Sequence, residues 1–127
     1  MVGGRLFSIG GRSGPADYGE VQVYDSDADS WTPGVPIDAR GTGGAVEIAG
    51  SIYYFGGELQ RLGVVLSDVL RLDSGATAWV TDTPMPTGRN FARAVLFKGR
   101  AYVVGGSTAY GRSHASIGAG VVESFGR

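Results

Sequence analysis

Few side chains in this sequence are suited to acid–base, nucleophilic or metal chemistry. The 127 residues include no cysteine and a single histidine, His114. The absence of cysteine excludes a disulfide scaffold, a cysteine nucleophile and a thiolate metal site. One histidine per chain excludes a multi-histidine metal cluster, and a catalytic base needs an orienting partner that is not identifiable beside His114. A solvated loop histidine is the favoured interpretation, and we expect no catalytic residue.

An acidic segment is the other feature that suggests chemistry. Aspartates alternate along residues 25–29, in the order Asp25-Ser26-Asp27-Ala28-Asp29. This spacing is similar to the start of a calcium loop, which also needs a glycine at its sixth place and a glutamate at its twelfth. Both are missing here. Because Asp and Ser also satisfy backbone groups in ordinary turns, we predict a turn that binds no metal.

The remaining polar and aromatic candidates recur at fixed spacings instead of forming one cluster. Two arginines each lie thirteen residues before a tyrosine, and two tryptophans each lie seven residues after the end of an apolar run. These pairs are Arg40 with Tyr53, Arg89 with Tyr102, Tyr24 with Trp31, and Leu72 with Trp79. Recurrence of this kind indicates an internal repeat.

Glycine, which supplies 23 of the 127 residues, shows the same repeat. Residues 4–11, 50–57 and 99–106 each consist of a glycine, five mostly apolar or aromatic positions and a Gly-Gly pair. The pairs begin at residues 10, 56 and 105, so the period is 46 and then 49 residues.

The elements that position these residues are predicted to be short strands. Residues 45–48, 52–55, 94–97 and 101–104 are rich in Val, Ile, Tyr and Phe, and glycines bound them. Ala49-Gly50 and Lys98-Gly99 are typical of hairpin turns, because glycine accepts a positive φ. The only helical candidate is residues 59–66, which Gly63 and two valines weaken. The predicted class is all-β.

These features together resemble the kelch repeat, whose period is about 50 residues. The residues that match its signature are Phe7, Gly10, Gly11, Tyr24, Trp31, Tyr53, Gly56, Gly57, Trp79, Tyr102, Gly105 and Gly106. The sequence departs from the usual pattern at Gly43 and Ala92, where many kelch repeats have histidine, and at Leu72, where an aromatic residue is usual.

The resemblance implies antiparallel four-stranded blades in a partial, open β-propeller of fewer than three blades. Blade a is predicted at about residues 1–36 without its inner strand, blade b at 37–86, and blade c at 87–127 without its outer strand. Because a propeller closes with about four to eight blades, further blades from a parent chain or from other copies are expected. A fragment of a longer kelch protein is favoured over a self-assembling unit.

The resemblance also implies a ligand face, built from the loops at residues 12–19, 58–67 and 107–118. Its candidate residues are Arg12, Tyr18, Arg40, Arg61, Arg89, Tyr110, Arg112 and His114. A rim of arginines would grip carboxylates or sugar hydroxyls. The alternative, which recurrence favours, is that Arg40 and Arg89 tie down their own turns. Recurrence likewise favours packing between blades for Trp31 and Trp79 over sugar stacking.

Composition limits the possible partners. The net charge of −1 and pI of about 5.7 disfavour a nucleic-acid partner, and no apolar run approaches the length of a membrane span. No signal peptide is visible, and the sequence does not indicate the cellular compartment.

By analogy with the family, we expect a non-catalytic module that binds a protein or peptide on the loop face and uses no cofactor. The alternatives are part of a carbohydrate-active kelch enzyme, similar to galactose oxidase or sialate epimerase, and a fragment without independent function.

Overall fold

The computed structural model describes residues 4–110 and 122–126, and all the regular secondary structure in these residues is β-strand. The strands are β1 (Leu6–Ser13), β2 (Ala16–Asp25), β3 (Ser30–Pro33), β4 (Gly44–Ile48), β5 (Ser51–Phe55), β6 (Glu58–Leu59), β7 (Val64–Val65), β8 (Val69–Leu72), β9 (Val80–Asp82), β10 (Arg93–Phe97), β11 (Arg100–Val104) and β12 (Val122–Phe125). The described residues contain no membrane-spanning helix.

Ten of the twelve strands form three antiparallel sheets that are copies of one unit, and β6 and β7 form a separate two-stranded ribbon. Sheet 1 has the order β1-β2-β3, sheet 2 the order β4-β5-β8-β9, and sheet 3 the order β10-β11-β12. In each copy a Gly-Gly pair lies within or directly after one particular strand, which is β1, β5 or β11. The predicted all-β class, with antiparallel blades in a partial open propeller, is confirmed.

Two-residue turns connect β4 to β5 and β10 to β11, as the sequence predicts. Both residues of each turn have positive φ: Ala49 at 51° and Gly50 at 86°, and Lys98 at 49° and Gly99 at 75°. This backbone conformation matches the twist of the strands that it joins. The turns therefore fix the strand register, in which Ile48 lies opposite Ser51.

Two apolar clusters hold the sheets together, and Phe55 and Val69 at 0% exposure lie at the centre of the larger one. That cluster joins sheets 2 and 3 and also includes Ile48, Tyr53, Met85, Ala92, Ala101 and Val103. The smaller cluster joins sheets 1 and 2 through Val21, Ile37, Tyr54 and Leu70, with Phe7, Ile9 and Trp79 packed against it. Each large apolar side chain buried in this way contributes about 1.5–3 kcal/mol.

Two predicted loops are partly strand. Residues 12–19 are strand except for the turn at Gly14–Pro15, because β1 and β2 remain paired up to Ser13 and Ala16. A register shift between Ile9 and Gly11 lets the ladder continue beyond the Gly-Gly pair, and Gly10 and Gly11 both have positive φ there. Residues 58–67 contain the ribbon β6–β7 rather than a helix.

The acidic segment forms the turn between β2 and β3 that its composition predicts. The Asp25 carboxylate accepts hydrogen bonds from the backbone N–H groups of Asp27 (2.9 Å) and Ala28 (3.2 Å). Asp29 has a φ of +46° and accepts a hydrogen bond from the Tyr24 hydroxyl at 2.7 Å. This bond raises the pKa of Tyr24. The Asp25 carboxylate therefore stabilises the backbone of the turn.

Candidate functional site

The connections between sheets meet at one end of the structure, which we call the loop face. The N–H of Gly11 donates to Arg40 O at 3.0 Å, and the N–H of Gly57 donates to Arg89 O at 2.9 Å. The second glycine of the first two pairs thus holds the chain segment that leads into the next sheet. On its other side Gly57 lies against the segment that leads into sheet 2, where an added Cβ would be 2.5 Å from Gly41 O, so only glycine fits at position 57.

A buried glutamate links all three sheets at the loop face. Glu58 is 1% exposed, and its carboxylate forms an ion pair of 3.2 Å with Arg12 Nε. It also accepts hydrogen bonds from the side-chain amides of Gln60, at 2.6 Å, and Asn90. A buried carboxylate is stable only when it is paired in this way.

The repeat explains why these side chains meet. Arg12, Glu58 and Ser107 each stand directly after a Gly-Gly pair, so they occupy equivalent positions in sheets 1, 2 and 3. Arg12 pairs with Glu58, and Ser107 pairs through its backbone with Asn90, which in turn bonds to Glu58. Arg12 and Glu58 carry opposite charges at the same position of two successive repeats. This complementarity is the sequence signal that could have identified Glu58.

The ribbon β6–β7 projects its tip from the loop face. Arg61 and Leu62 form the tip, and Leu62 is 71% exposed; Val64 is 40% exposed. The base is held from two sides, because Gln60 N–H donates to Asp17 Oδ2 at 2.7 Å and Tyr110 Oη donates to the Gln60 carbonyl at 3.1 Å. An anchored backbone therefore carries an exposed aliphatic side chain and a cation.

Arg40 lies beneath the loop face. It is 5% exposed and donates from Nε to Asp38 O at 3.1 Å, and its Nη1 lies 2.7 Å from Asp68 Oδ2. Nearby, burial raises the pKa of the Tyr54 hydroxyl, which accepts a hydrogen bond from Gly43 N–H at 3.0 Å.

Arg89 is more deeply buried, at 0% exposure. Its Nη1 donates to Gly105 O at 3.2 Å, and its Nη2 lies 3.1 Å from Glu123 Oε1 in β12. Both arginines thus bind carbonyls and carboxylates of their own chain, which favours the structural interpretation. A role in gripping a ligand stays a prediction for either residue.

The other candidates lie nearer the surface. Arg12 stacks over the Phe91 ring at 5.6 Å while it pairs with Glu58. Tyr18 lies on β2 and Tyr110 beside the ribbon, and both are exposed. Two further candidates, Arg112 and His114, lie outside the described residues.

The two tryptophans have different environments. The Trp79 indole N–H donates to Val35 O at 2.9 Å, and the ring packs against the cluster between sheets 1 and 2. Trp31, its equivalent in sheet 1, is 49% exposed and rests on Tyr24 with ring centroids 5.1 Å apart. Packing between sheets is thus visible for Trp79 in the described part of the chain.

The sequence prediction included residues 58–67 in the ligand face but singled out only Arg61 among them, and it did not include Asn90. Leu62, Val64 and Asn90 carry no repeat signature, and Glu58, Gln60 and Asn90 meet only because the turns from different sheets converge. Among the described residues, no group of three or more histidine, aspartate or glutamate side chains is placed to hold a metal ion.

Three repeated sheets, the Gly-Gly pairs and the tryptophan spacing define this molecule as a partial β-propeller of the kelch type. Kelch-like protein 25 of Homo sapiens is 28% identical over 116 residues, which cover 84% of this chain and 20% of that protein. Kelch-like protein 23 of Homo sapiens is 32% identical over 91 residues, which cover 71% of this chain and 16% of that protein. No family model matches the sequence. The chain belongs to the kelch-repeat family and spans a fifth or less of the curated relatives that it matches.

Proposed function

We propose that this chain is a protein-interaction module that binds a protein or peptide on its loop face, at the tip of the ribbon β6–β7. The observation that supports the proposal is the exposure of the Leu62 side chain, which is 71% exposed although the backbone that carries it is anchored. The relatives are kelch-like proteins by name, which supports a repeat module but specifies no partner.

The chemistry of the tip suits protein recognition. Arg61 offers a guanidinium next to the aliphatic surface of Leu62 and Val64, and Tyr18 and Tyr110 add exposed rings with polar tips on the same face. Interfaces are enriched in tyrosine and arginine, and such anchors dominate their binding energy. Because the ribbon is already fixed by Asp17 and Tyr110, little conformational entropy is lost on binding.

This proposal predicts that Leu62→Ala strongly weakens the affinity for peptides that are selected by their binding to the wild-type chain. A displayed peptide library is panned against the purified chain, and the affinity of each selected peptide is measured by fluorescence anisotropy. Truncation of a hot-spot side chain costs about 2 kcal/mol or more, so the affinity should fall by about 30-fold.

The matched control is Leu96→Ala, which removes the same atoms from an exposed leucine on β10, outside the ribbon and its anchors. It should leave the affinity unchanged. Selection of no peptide, or equal loss in the two variants, would contradict a binding site at the ribbon tip.

We further propose that additional kelch blades cover the two outward faces of the described sheets. Val95, Phe97, Val104 and Val122 are all exposed on sheet 3, and the cross-strand pairing of β10, β11 and β12 puts these four residues on one face. On sheet 1, Trp31 is exposed where the equivalent Trp79 is covered by its neighbour. Contiguous apolar surface of this kind is typical of an interface.

If further blades normally cover these two faces, the isolated chain should self-associate through them. Light scattering after size exclusion should give a mass above the 13.1 kDa of one chain. A Val95→Asp/Phe97→Asp variant should shift the mass toward 13.1 kDa, because charges on the face oppose its burial. A wild-type chain that elutes as a clean monomer would contradict the proposal.

A further inference from the structure

A cleft of about 480 Å³ lies between sheets 1 and 2, at the end of the sheets opposite the loop face. Gly50 and Ser74, in the turns that follow β4 and β8, line its rim, and Phe7, Ile52 and Leu72 line its walls. Strands β1, β2 and β3 form one wall and strands β5 and β8 the other, so both walls come from paired strands. Cavities of about 300–1,000 Å³ are typical of small-molecule sites.

The cleft exists because Leu72 is aliphatic. The equivalent positions of the other two sheets hold aromatic residues, Tyr24 in sheet 1 and Phe125 in sheet 3. Phe125 packs against Tyr53 of sheet 2, with ring centroids 5.4 Å apart. The equivalent pair between sheets 1 and 2 is Phe7 and Leu72, and both line the cleft. The shorter side chain therefore leaves space where an aromatic ring fills the interface between sheets 2 and 3.

Arg5 provides an unpaired positive charge at the cleft. Its equivalents in sheets 2 and 3 bond within their own sheets, since Ser51 Oγ donates to Asp73 Oδ1 at 2.8 Å and Arg100 Nη2 donates to Ser124 Oγ at 3.3 Å. Within residues 4–110 and 122–126, Arg5 forms no ion pair and no side-chain hydrogen bond. Its guanidinium is thus available to an anionic group of a ligand.

We propose that the cleft binds a small organic acid with an apolar body. The carboxylate of the acid pairs with Arg5, and its apolar body lies between Phe7 and Leu72. The charge of the cleft favours an anion, because Asp73, the acidic residue of its lining, is already paired with Arg71 at 3.0 Å. This site lies at the end opposite the ribbon tip and does not rest on binding there.

Isothermal titration calorimetry of the full chain with phenylbutyrate tests the site, with phenylbutyramide as the uncharged counterpart of this probe. We expect saturable binding of the acid and about tenfold weaker binding of the amide, because only the acid forms a charge-assisted pair with Arg5. Arg5→Gln should lower the affinity for the acid to that for the amide. Leu72→Phe should abolish binding of both probes, because the added ring fills the cleft as Phe125 fills the equivalent space.

Arg93→Gln and Leu96→Phe are the matched controls, because both residues are exposed on β10 and lie outside the cleft. Neither change should alter the affinity, and Leu62→Ala should not alter it either, which separates this site from the ribbon tip. Arg5 is exposed, so Arg5→Gln tests the site even if Leu72→Phe impairs folding. The small-acid site would be overturned by absence of saturable binding, by equal affinities for acid and amide, or by undiminished binding to a folded Leu72→Phe variant.

Discussion

An Arg89→Met variant should lose about 3–5 kcal/mol of folding stability, because it leaves the Glu123 carboxylate without its partner. Arg89 is fully buried, and it joins the strand entering sheet 3 to Gly105 and to β12. Because methionine keeps much of the side-chain volume, the loss of folding stability measures the removal of the charge rather than the creation of a cavity. Urea unfolding followed by tryptophan fluorescence measures the change.

Arg71→Met is the matched control for the loss of an arginine ion pair. Arg71 also pairs with two aspartates, at 3.0 Å and 3.4 Å, but its side chain is 21% exposed. Asp73 is 49% exposed, so water can solvate it, and Asp82 keeps a hydrogen bond from the Thr83 N–H at 2.7 Å. The loss should therefore be about 1 kcal/mol. A second variant, Arg89→Met with Glu123→Gln, should recover part of the stability because no buried charge is left alone. Equal losses for Arg89→Met and Arg71→Met would show that burial does not govern these pairs.

A Gly57→Ala variant should be destabilised by about 3 kcal/mol or more through strain and displaced backbone. Gly57 has a φ of +100°, which residues other than glycine rarely adopt, and an added Cβ would lie 2.5 Å from Gly41 O. That carbonyl accepts the N–H of Glu58, so its displacement would disturb the buried carboxylate network. Thermal unfolding by circular dichroism measures the loss.

Gly50→Ala separates the two causes. Gly50 also has a positive φ, 86°, but a Cβ there meets no atom within 4 Å. The variant should therefore lose only about 1–2 kcal/mol, the cost of the backbone conformation alone. If both variants lost the same amount, close approach of the Gly41 carbonyl would play no part in the requirement for glycine.

The regular parts of the fold could be predicted because each is encoded locally and then repeated. Ala49-Gly50 and Lys98-Gly99 form the predicted turns, since their positive φ depends on two adjacent residues. The apolar runs before the Gly-Gly pairs form β5 and β11, because a short run of Val, Ile, Tyr and Phe that glycines bound is typical of a strand.

The loops could not be predicted to the same degree. Each strand of the ribbon β6–β7 has only two residues, so neither carries a periodic signal. Its position depends on Asp17 and Tyr110, which lie 43 and 50 residues away from Gln60 in sequence. The extension of β1 and β2 beyond the Gly-Gly pair was missed because a register shift hides the alternation.

The kelch repeat and its antiparallel sheets can be predicted from the amino-acid sequence, because turns and strands follow from neighbouring residues at a fixed period. The environment of the charges, in contrast, depends on how the sheets pack together. Arg40 and Arg89 are buried in internal pairs, whereas Arg61 stands at an exposed tip. The physical reason is that the energy of a charge depends on its burial and on partners brought from other sheets, and neither is a property of the residue's own segment.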